Sequence, residues 1–327
     1  MIPLPRPLYL ALKLAAIAAV VAILAFLPRF TGEFRLSQFT LVGIYFIALL
    51  GLNILTGYSG QISLGHGAFV AFGAYTTAIL SSDYGVGEYW TIPIAGLLTG
   101  VFGLLFGLPA LRLSGVYLAL ATFGLAISIV LVAKRFEGLT GGGGGKAIPL
   151  PSSPFDSLTT NEWISYLTWS VAALMFFLAW ALTRGRLGRG LRAIRDAPIA
   201  AVSSGLSLAR YKTAAFGIAA AYAGVAGSLF AIAVAYVNPD SFPISLSILL
   251  LTGAVVGGLG SLEGMLFGAL FIEFVPKWAE SVNNSAPTVI YGLILLGVLF
   301  VIPGGAARLL DHLATALKSG RGRLYSR

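Results

Sequence analysis

Long apolar runs separated by short polar connections make up most of the chain. Crossing the hydrocarbon of a bilayer takes about 20 apolar residues, and an α-helix satisfies its backbone hydrogen bonds within the segment. The pattern therefore predicts an all-α polytopic membrane protein, a single transmembrane domain over residues 1–327 with about ten spans. The predicted spans are Leu8–Leu27, Leu36–Thr56, Ile62–Leu80, Thr91–Leu108, Gly115–Ala133, Trp163–Thr183, Thr213–Tyr236, Ile244–Gly260, Gly264–Ala279 and Thr288–Pro303.

Three of these runs are less regular than the others. The first has the layout of a signal peptide, but it is long enough to span and Pro28-Arg29 is a poor cleavage site, so an uncleaved span is predicted. The third and ninth are short or rich in glycine. Either is predicted to be broken or re-entrant, which is tolerated where protein buries the backbone.

Composition excludes a soluble globular protein. Hydrophobic residues make up 57% of the chain and charged residues 10%, against about 45–50% and roughly 25% in soluble domains. The absence of cysteine excludes disulfides and thiolate metal sites. The net charge is +9, but in a membrane protein the placement of the charges is informative rather than their sum, so nucleic acid is not expected as a partner.

The placement of Lys and Arg predicts the orientation, because these residues collect on the cytoplasmic side. With the N-terminus inside, ten spans place the C-terminus inside as well. Fifteen of the 21 basic residues then lie inside, and six lie outside or at outer span ends. The sequence therefore predicts cytoplasmic N- and C-termini.

One long connection, residues 134–162, is external by this topology. Its GGGGGK run ends at Lys146, but Thr140 replaces the first glycine of a phosphate loop and Ala147 replaces its Ser or Thr. A flexible external Gly/Pro loop is predicted instead.

A second long connection, residues 184–212, is cytoplasmic and basic. Asp196 as N-cap, Pro198 as first residue and Gly205 at the end predict a short helix. Its small residues, Ala200 and Ala201, would form a face for close approach. Two interpretations stay open: a basic loop that fixes topology and touches anionic lipid, or a docking helix for a cytoplasmic partner.

The stretch Gly57–Gly73 is the most polar and glycine-rich part of the apolar chain. Polar groups at membrane depth are costly unless protein, water or substrate satisfies them. We therefore expect this stretch to line a translocation pathway and its glycine-broken start to expose backbone amides there. The candidate pathway residues are Tyr58, Ser59, Gln61, Ser63 and His66.

His66 has two interpretations: a packed histidine bonded to a neighbouring backbone, or a pathway or gate residue. Metal ligation is not predicted, because no second ligand stands at suitable spacing. Glu273 and Lys277 are one helical turn apart, which indicates a structural ion pair. Neither a catalytic pair, a nucleotide motif nor a ladder of intramembrane acids is evident, which argues against an enzyme and against a proton-coupled carrier.

Five segments in register resemble the permease subunits of branched-chain amino acid ABC importers. The similarity keeps order and spacing over most of the chain from Leu49 to Gly305. The matching segments are Gly57–Tyr75 (GYSGQISLGHGAFVAFGAY), Leu113–Phe123, Gly190–Phe216, Ala223–Ala231 and Gly257–Ala269.

The resemblance implies a bacterial inner-membrane subunit that forms the pathway with a second, homologous permease. An external solute-binding protein would deliver the substrate, and two cytoplasmic ATPase subunits would bind and hydrolyse ATP, so this chain would need no cofactor and would not be an enzyme. Ala200-Ala201 followed by Gly205 resembles the core of the ATPase-coupling loop, with Asp196 the nearest acid. A Glu is common before that core, and Ile199 stands there instead.

Other functions remain open at the level of sequence. The same machine could carry urea, short amides or aromatic acids, since the resemblance places much of the selectivity in the binding protein. A self-sufficient channel or secondary carrier is disfavoured by the coupling-loop pattern.

Overall fold

The computed structural model describes residues 32–111, 113, 115–149, 151, 153–155, 157–282, 287–301 and 305–306. The predicted first span, Leu8–Leu27, lies outside the described residues, as does the tail from residue 307.

Helices account for most of the described chain. The α-helices are α1 (Glu33–Leu52), α2 (His66–Tyr84), α3 (Glu88–Ala110), α4 (Val116–Arg135), α5 (Glu137–Thr140), α6 (Thr160–Arg184), α7 (Arg186–Asp196), α8 (Pro198–Ser203), α9 (Leu208–Val234), α10 (Ile244–Gly257), α11 (Gly264–Val282) and α12 (Pro287–Val301). A π-helical turn, Asn53–Tyr58, continues α1, and 3-10 turns cover Gly142–Gly144 and Pro239–Ser241. Six helical segments among the described residues are long and apolar enough to cross a membrane, and they include α1, α3, α4, α6, α9 and α10.

The helices follow the predicted spans closely. Each predicted span after the first falls on one of α1–α4, α6 and α9–α12. The third is broken at its start, as predicted for one of the two irregular spans, since α2 begins at His66 rather than Ile62. The ninth, α11, is a single helix that contains Pro276.

Local sequence sets several helix ends. α6 starts after a capping box, in which the Thr159 hydroxyl accepts from the Glu162 amide and the Glu162 carboxylate accepts from the Thr159 amide. α2 ends at Gly85, which has φ of 63° and donates its amide to the Leu80 carbonyl. These ends lie within about one turn of the boundaries that hydropathy predicted.

α9 is the centre of the bundle and packs against α1, α2 and α3. Glycines allow this close approach: a Cβ on Gly227 would lie 1.9 Å from the Val70 carbonyl oxygen, and one on Gly73 would lie 2.3 Å from the Gly224 carbonyl oxygen. Small residues at helix contacts bring backbones together where lipid supplies no hydrophobic drive. α10 and α11 form a second such pair, with α11 also packed on α1.

Segments that the topology places outside meet at one end of the bundle. Lys146 Nζ lies 2.6 Å from Asp83 Oδ2, and Lys134 Nζ lies 2.7 Å from Asp240 Oδ1. Two short antiparallel strands join there, β1 (Lys146–Ala147) and β2 (Tyr236–Val237). Within the 134–162 connection, the glycine-rich turns thus lead into a strand that pairs with the segment after α9, and Lys146 forms an ion pair with Asp83 of α2.

The basic connection 184–212 contains two helices, α7 and α8, where the sequence predicted one. Asp196 is the last residue of α7 and not an N-cap; Ala197 occupies the cap of α8, and the Asp196 carboxylate pairs with Arg195 instead. The predicted helix end at Gly205 is confirmed. Gly205 has φ of 83°, and the Leu206 amide donates to Ala201 O while the Gly205 amide donates to Val202 O, the pattern of a Schellman motif.

Candidate functional site

The break between α1 and α2 is the candidate site. α1 widens into the π-helical turn Asn53–Tyr58, and the chain then runs without helical structure from Ser59 to Gly65 before α2 begins. π turns of this kind are frequent at functional positions. Glycine is required at two places: Gly60 has φ of 72°, and a Cβ on Gly57 would lie 2.6 Å from the Gly260 amide nitrogen.

The five predicted pathway side chains are all buried in this subunit, at 0–6% exposure. Ser59 Oγ donates to Leu55 O at 2.6 Å, and Gln61 Nε2 donates to Ser59 Oγ at 2.8 Å and to Lys212 O at 3.3 Å. Their hydrogen bonds thus hold the break in shape. Contact of Tyr58, Ser59, Gln61, Ser63 or His66 with substrate stays a prediction.

His66 is fully buried at the start of α2. Its Nε2 lies 2.9 Å from the Ala48 carbonyl oxygen in α1, and its Nδ1 is buried with no hydrogen-bond partner among the described residues. The ring also meets the edge of Phe69, with ring centroids 6.4 Å apart. This geometry agrees with the packed-histidine interpretation, in which the ring joins α2 to α1.

The backbone amides at the start of α2 are occupied by side chains of the same subunit. The Leu64 amide donates to Thr122 Oγ1 at 2.9 Å, and the Gly67 amide donates to Ser247 Oγ at 3.0 Å. The Gly65 amide donates to Ser63 Oγ at 3.3 Å. The expectation that this start exposes its amides is therefore wrong for these three groups, because α4, α10 and Ser63 of the break itself place hydroxyls against them.

The structure brings the two predicted sites together. Arg192 of α7 lies over the Tyr58 ring, 5.7 Å from its centroid. Arg195 donates from Nη1 to the Gly57 carbonyl oxygen. Together with the hydrogen bond from Gln61 Nε2 to Lys212 O, these contacts pack the basic connection directly against the α1–α2 break.

Asn53 is a site residue that was not predicted from the sequence. Its Oδ1 accepts from the Gly260 amide at 2.7 Å, and its Nδ2 donates to Ser261 O at 2.9 Å. The buried Asn53 side chain therefore joins the α10–α11 turn to the π-helical turn. An amide in the apolar run Leu36–Leu55 was the available signal, because a buried amide side chain needs partners.

The exposed surface of α8 carries large apolar side chains, where small residues were predicted. Ile199 is 86% exposed and Val202 is 50% exposed. Ala200 is exposed, but Ala201 is buried against the chain itself. The predicted face of small residues is therefore wrong in part, because the helix turns Ala201 inwards and presents Ile199.

The interior acid of α11 is paired as predicted. Lys277 Nζ contacts Glu273 Oε1 across one helical turn, and Glu273 is buried. Pro276 lies between them without ending the helix.

Comparison with known families gives a match over nearly the whole described chain. Residues 34–303 match the family model described as branched-chain amino acid transport system / permease component. The high-affinity branched-chain amino acid transport system permease protein LivM of Escherichia coli is 34% identical over 314 residues, which is 89% of this chain and 72% of that protein.

Two further relatives show how wide the similarity is. The permease protein LivH of the high-affinity branched-chain amino acid transport system of Escherichia coli is 24% identical over 290 residues, 81% of this chain and 92% of LivH. The autoinducer 2 import system permease protein LsrC of Klebsiella pneumoniae is 31% identical over 245 residues, 69% of this chain and 65% of LsrC.

Proposed function

This chain belongs to the family of branched-chain amino acid transport system permease components, and from that premise we propose that it carries branched-chain and other hydrophobic amino acids. It is a permease subunit of an ABC importer and forms the translocation pathway with a second, homologous permease. The observation that carries the proposal is the 34% identity to LivM over 89% of the chain. Because LivM and LivH are both named for branched-chain amino acid transport, urea, short amides or aromatic acids are the weaker alternative.

The remaining parts of the importer are proposed with it. The subunit lies in the bacterial inner membrane with about ten spans and both termini in the cytoplasm. An external solute-binding protein delivers the substrate, and two cytoplasmic ATPase subunits bind the ATP. Two contacts support this orientation. The segments predicted to be external meet near the Asp83–Lys146 ion pair at one end of the bundle, and the basic connection meets Gly57 at the other end.

The surface of α8 is proposed as the contact for an ATPase subunit. Ile199 at 86% exposure and Val202 at 50% make an apolar ridge on a polar, basic connection, and exposed apolar residues of this kind mark interaction sites. Ala200 lies beside them, whereas Asp196, Ala201 and Gly205 shape the helix that carries the ridge. Ile199 thus takes the position where the family commonly has a Glu.

Reconstitution tests the transport proposal. The chain is coexpressed with a second permease and the ATPase subunits of its importer, and the complex is placed in proteoliposomes with the binding protein. We expect ATP-dependent uptake of radiolabelled leucine and none of urea. Uptake that needs no ATP, from a preparation with no co-eluting ATPase, would identify a channel or secondary carrier instead.

Ile199→Asp tests the docking surface in the same vesicles. We expect it to lower leucine uptake and ATPase co-elution by about tenfold, since a central apolar contact in an interface contributes more than about 1 kcal/mol. Ala209→Asp is the matched control, because it adds the same charge to an exposed position in the first turn of α9, where a carboxylate is favourable. Equal uptake by Ile199→Asp and Ala209→Asp would refute the docking role.

A further inference from the structure

Arg195 occupies the junction between α8 and the α1–α2 break. It is the second-last residue of α7, and α8 begins three residues later at Pro198. Its Nε donates to Asp196 Oδ1 at 2.8 Å, and its Nη1 donates to the Gly57 carbonyl oxygen 138 residues earlier in the chain. The guanidinium is therefore held at both ends, by its own helix and by the break.

The Gly57 carbonyl is a specific acceptor for this cation. It belongs to the last turn of the α1 segment, where carbonyls lack the usual partner one turn ahead and carry the negative end of the helix dipole. The aliphatic part of the Arg195 side chain packs against Gly60, because a Cβ on Gly60 would lie 2.9 Å from Arg195 Cγ. Gly60 thereby leaves room for the arginine to cross the break.

A third segment joins at the same point. A Cβ on Gly57 would lie 2.1 Å from Asn53 Oδ1 and 2.6 Å from the Gly260 nitrogen, and Asn53 Oδ1 accepts from that same Gly260 amide. Gly57 is therefore packed directly against the α10–α11 turn, and we expect the two to move together. One side chain of α7 is thus linked to Gly57 and Gly60 in the break and, through Gly57 and Asn53, to the α10–α11 turn.

The neighbouring arginines do not make this connection. Arg189 Nη1 donates to Arg184 O within the same connection. Arg192 lies over the Tyr58 ring, an aromatic face that tolerates sliding better than a directed hydrogen bond. Arg195 is distinguished by a bond to the backbone of the break itself.

We propose that Arg195 is a positioning residue that transmits displacement of α8 to the α1–α2 break and the α10–α11 turn. The proposal rests on the proposed function, in which a partner ATPase moves α8. As α8 moves, Arg195 carries the Gly57 carbonyl with it, and Asn53 passes the shift to Gly260. The polar stretch Gly57–Gly73 then rearranges in step with the ATPase, rather than independently of it.

The test compares Arg195→Gln, Arg195→Lys and Arg189→Gln in the reconstituted importer. ATP hydrolysis and leucine uptake are measured in the same vesicles. We expect Arg195→Gln to keep most of the ATP hydrolysis but to lower leucine carried per ATP by about tenfold, within the 5–150-fold range of coupling energies. Arg195→Lys keeps a hydrogen-bond donor, so we expect it to recover part of the leucine carried per ATP. Arg189→Gln should carry as much leucine per ATP as the unmodified chain. A merely structural role would lower both rates together and leave the ratio unchanged, which would overturn the proposal.

A second measurement leaves Arg195 in place. Because the chain has no cysteine, spin labels can be placed at Ser203→Cys in α8 and at Ile62→Cys, which is 44% exposed in the break. We expect their separation to stay constant between the ATP-free and vanadate-trapped states, while the separation of Ser203 from a label at Gly143→Cys changes. A changing Ser203–Ile62 distance, or an unchanged Ser203–Gly143 distance, would overturn the proposal. An unmodified complex that hydrolyses no ATP would instead refute the proposed function.

Discussion

His66 illustrates how a polar residue can be kept inside an apolar bundle. Its Nε2 bonds to Ala48 O, and no atom of the side chain reaches a surface. A hydrogen bond of this kind contributes about 1 kcal/mol net, but leaving a buried polar group without its partner costs more. The same reasoning applies to Gln61 and Ser59, which satisfy each other. At the scale of single residues, the polar stretch is explained by its bonds within the subunit.

His66→Gln and His66→Leu separate packing from a pathway role. Gln places a donor near the position of Nε2, so we expect near-normal leucine uptake and thermal stability. Leu fills the space but removes the donor to Ala48 O, and we expect a loss of about 1 kcal/mol in the free energy of unfolding. Thermal melting in detergent and uptake in vesicles measure the two effects. Loss of uptake in a stable His66→Gln variant would favour direct contact with substrate.

At the scale of helices, close contacts between helix backbones explain where many glycines lie. Gly73 and Gly227 bring α2 against α9, and Gly253 and Gly268 do the same for α10 and α11, where a Cβ on Gly268 would lie 2.1 Å from the Gly253 carbonyl oxygen. Close approach of this kind gives van der Waals contact along whole helix faces. Gly258 and Gly260 have a different reason, since both lie in the α10–α11 turn with positive φ, at 102° and 88°.

Gly227→Val tests the α2–α9 contact. The added carbons would meet the Val70 carbonyl, and overpacking typically costs about 1–3 kcal/mol, so we expect a lower melting temperature and poor assembly. Gly124→Ala is the control, because no atom lies within 4 Å of its Cβ position in α4 and Ala is a better helix former than Gly by roughly 0.5–1 kcal/mol. A Gly227→Val variant that melts with the unmodified chain would contradict the packing explanation.

At the scale of the molecule, the bundle has two polar ends of different character. One end carries the ion pairs Asp83–Lys146 and Lys134–Asp240 and the β1–β2 pair. The other carries α7, α8 and their contacts with the break. The Lys134–Asp240 pair is exposed and contributes little stability, whereas the Lys146 side chain is only 15% exposed where it pairs with Asp83, beside the paired strands.

Single cysteines test which end faces the cytoplasm. The chain has none of its own, and Gly143 and Ala193 are exposed at opposite ends of the topology. We expect a membrane-impermeant maleimide to label Gly143→Cys in spheroplasts and Ala193→Cys only after permeabilisation, because basic segments remain in the cytoplasm. The reverse pattern of labelling would invert the proposed orientation.

The sequence by itself determined the membrane class, the nine helices at the predicted spans after the first, the break before His66 and the helix end at Gly205. Each of these depends on local properties: run length, a glycine at a positive φ, or polar residues in an apolar run. Even the family resemblance is read from segments in order along the chain. The β1 strand in the glycine-rich connection was not predicted, because its partner Tyr236–Val237 lies about 90 residues away along the chain.

Only the tertiary structure decided what the polar residues contact. Arg195 meets Gly57 across 138 residues, and Asn53 meets Gly260 across 207. No periodicity in the sequence records such pairs, because they depend on how helices cross and on which glycines let two backbones approach. The same packing turned Ala201 inwards and Ile199 outwards on α8. Helices follow from local hydrophobicity, whereas the link between α8 and the break exists only once the bundle has closed around α9.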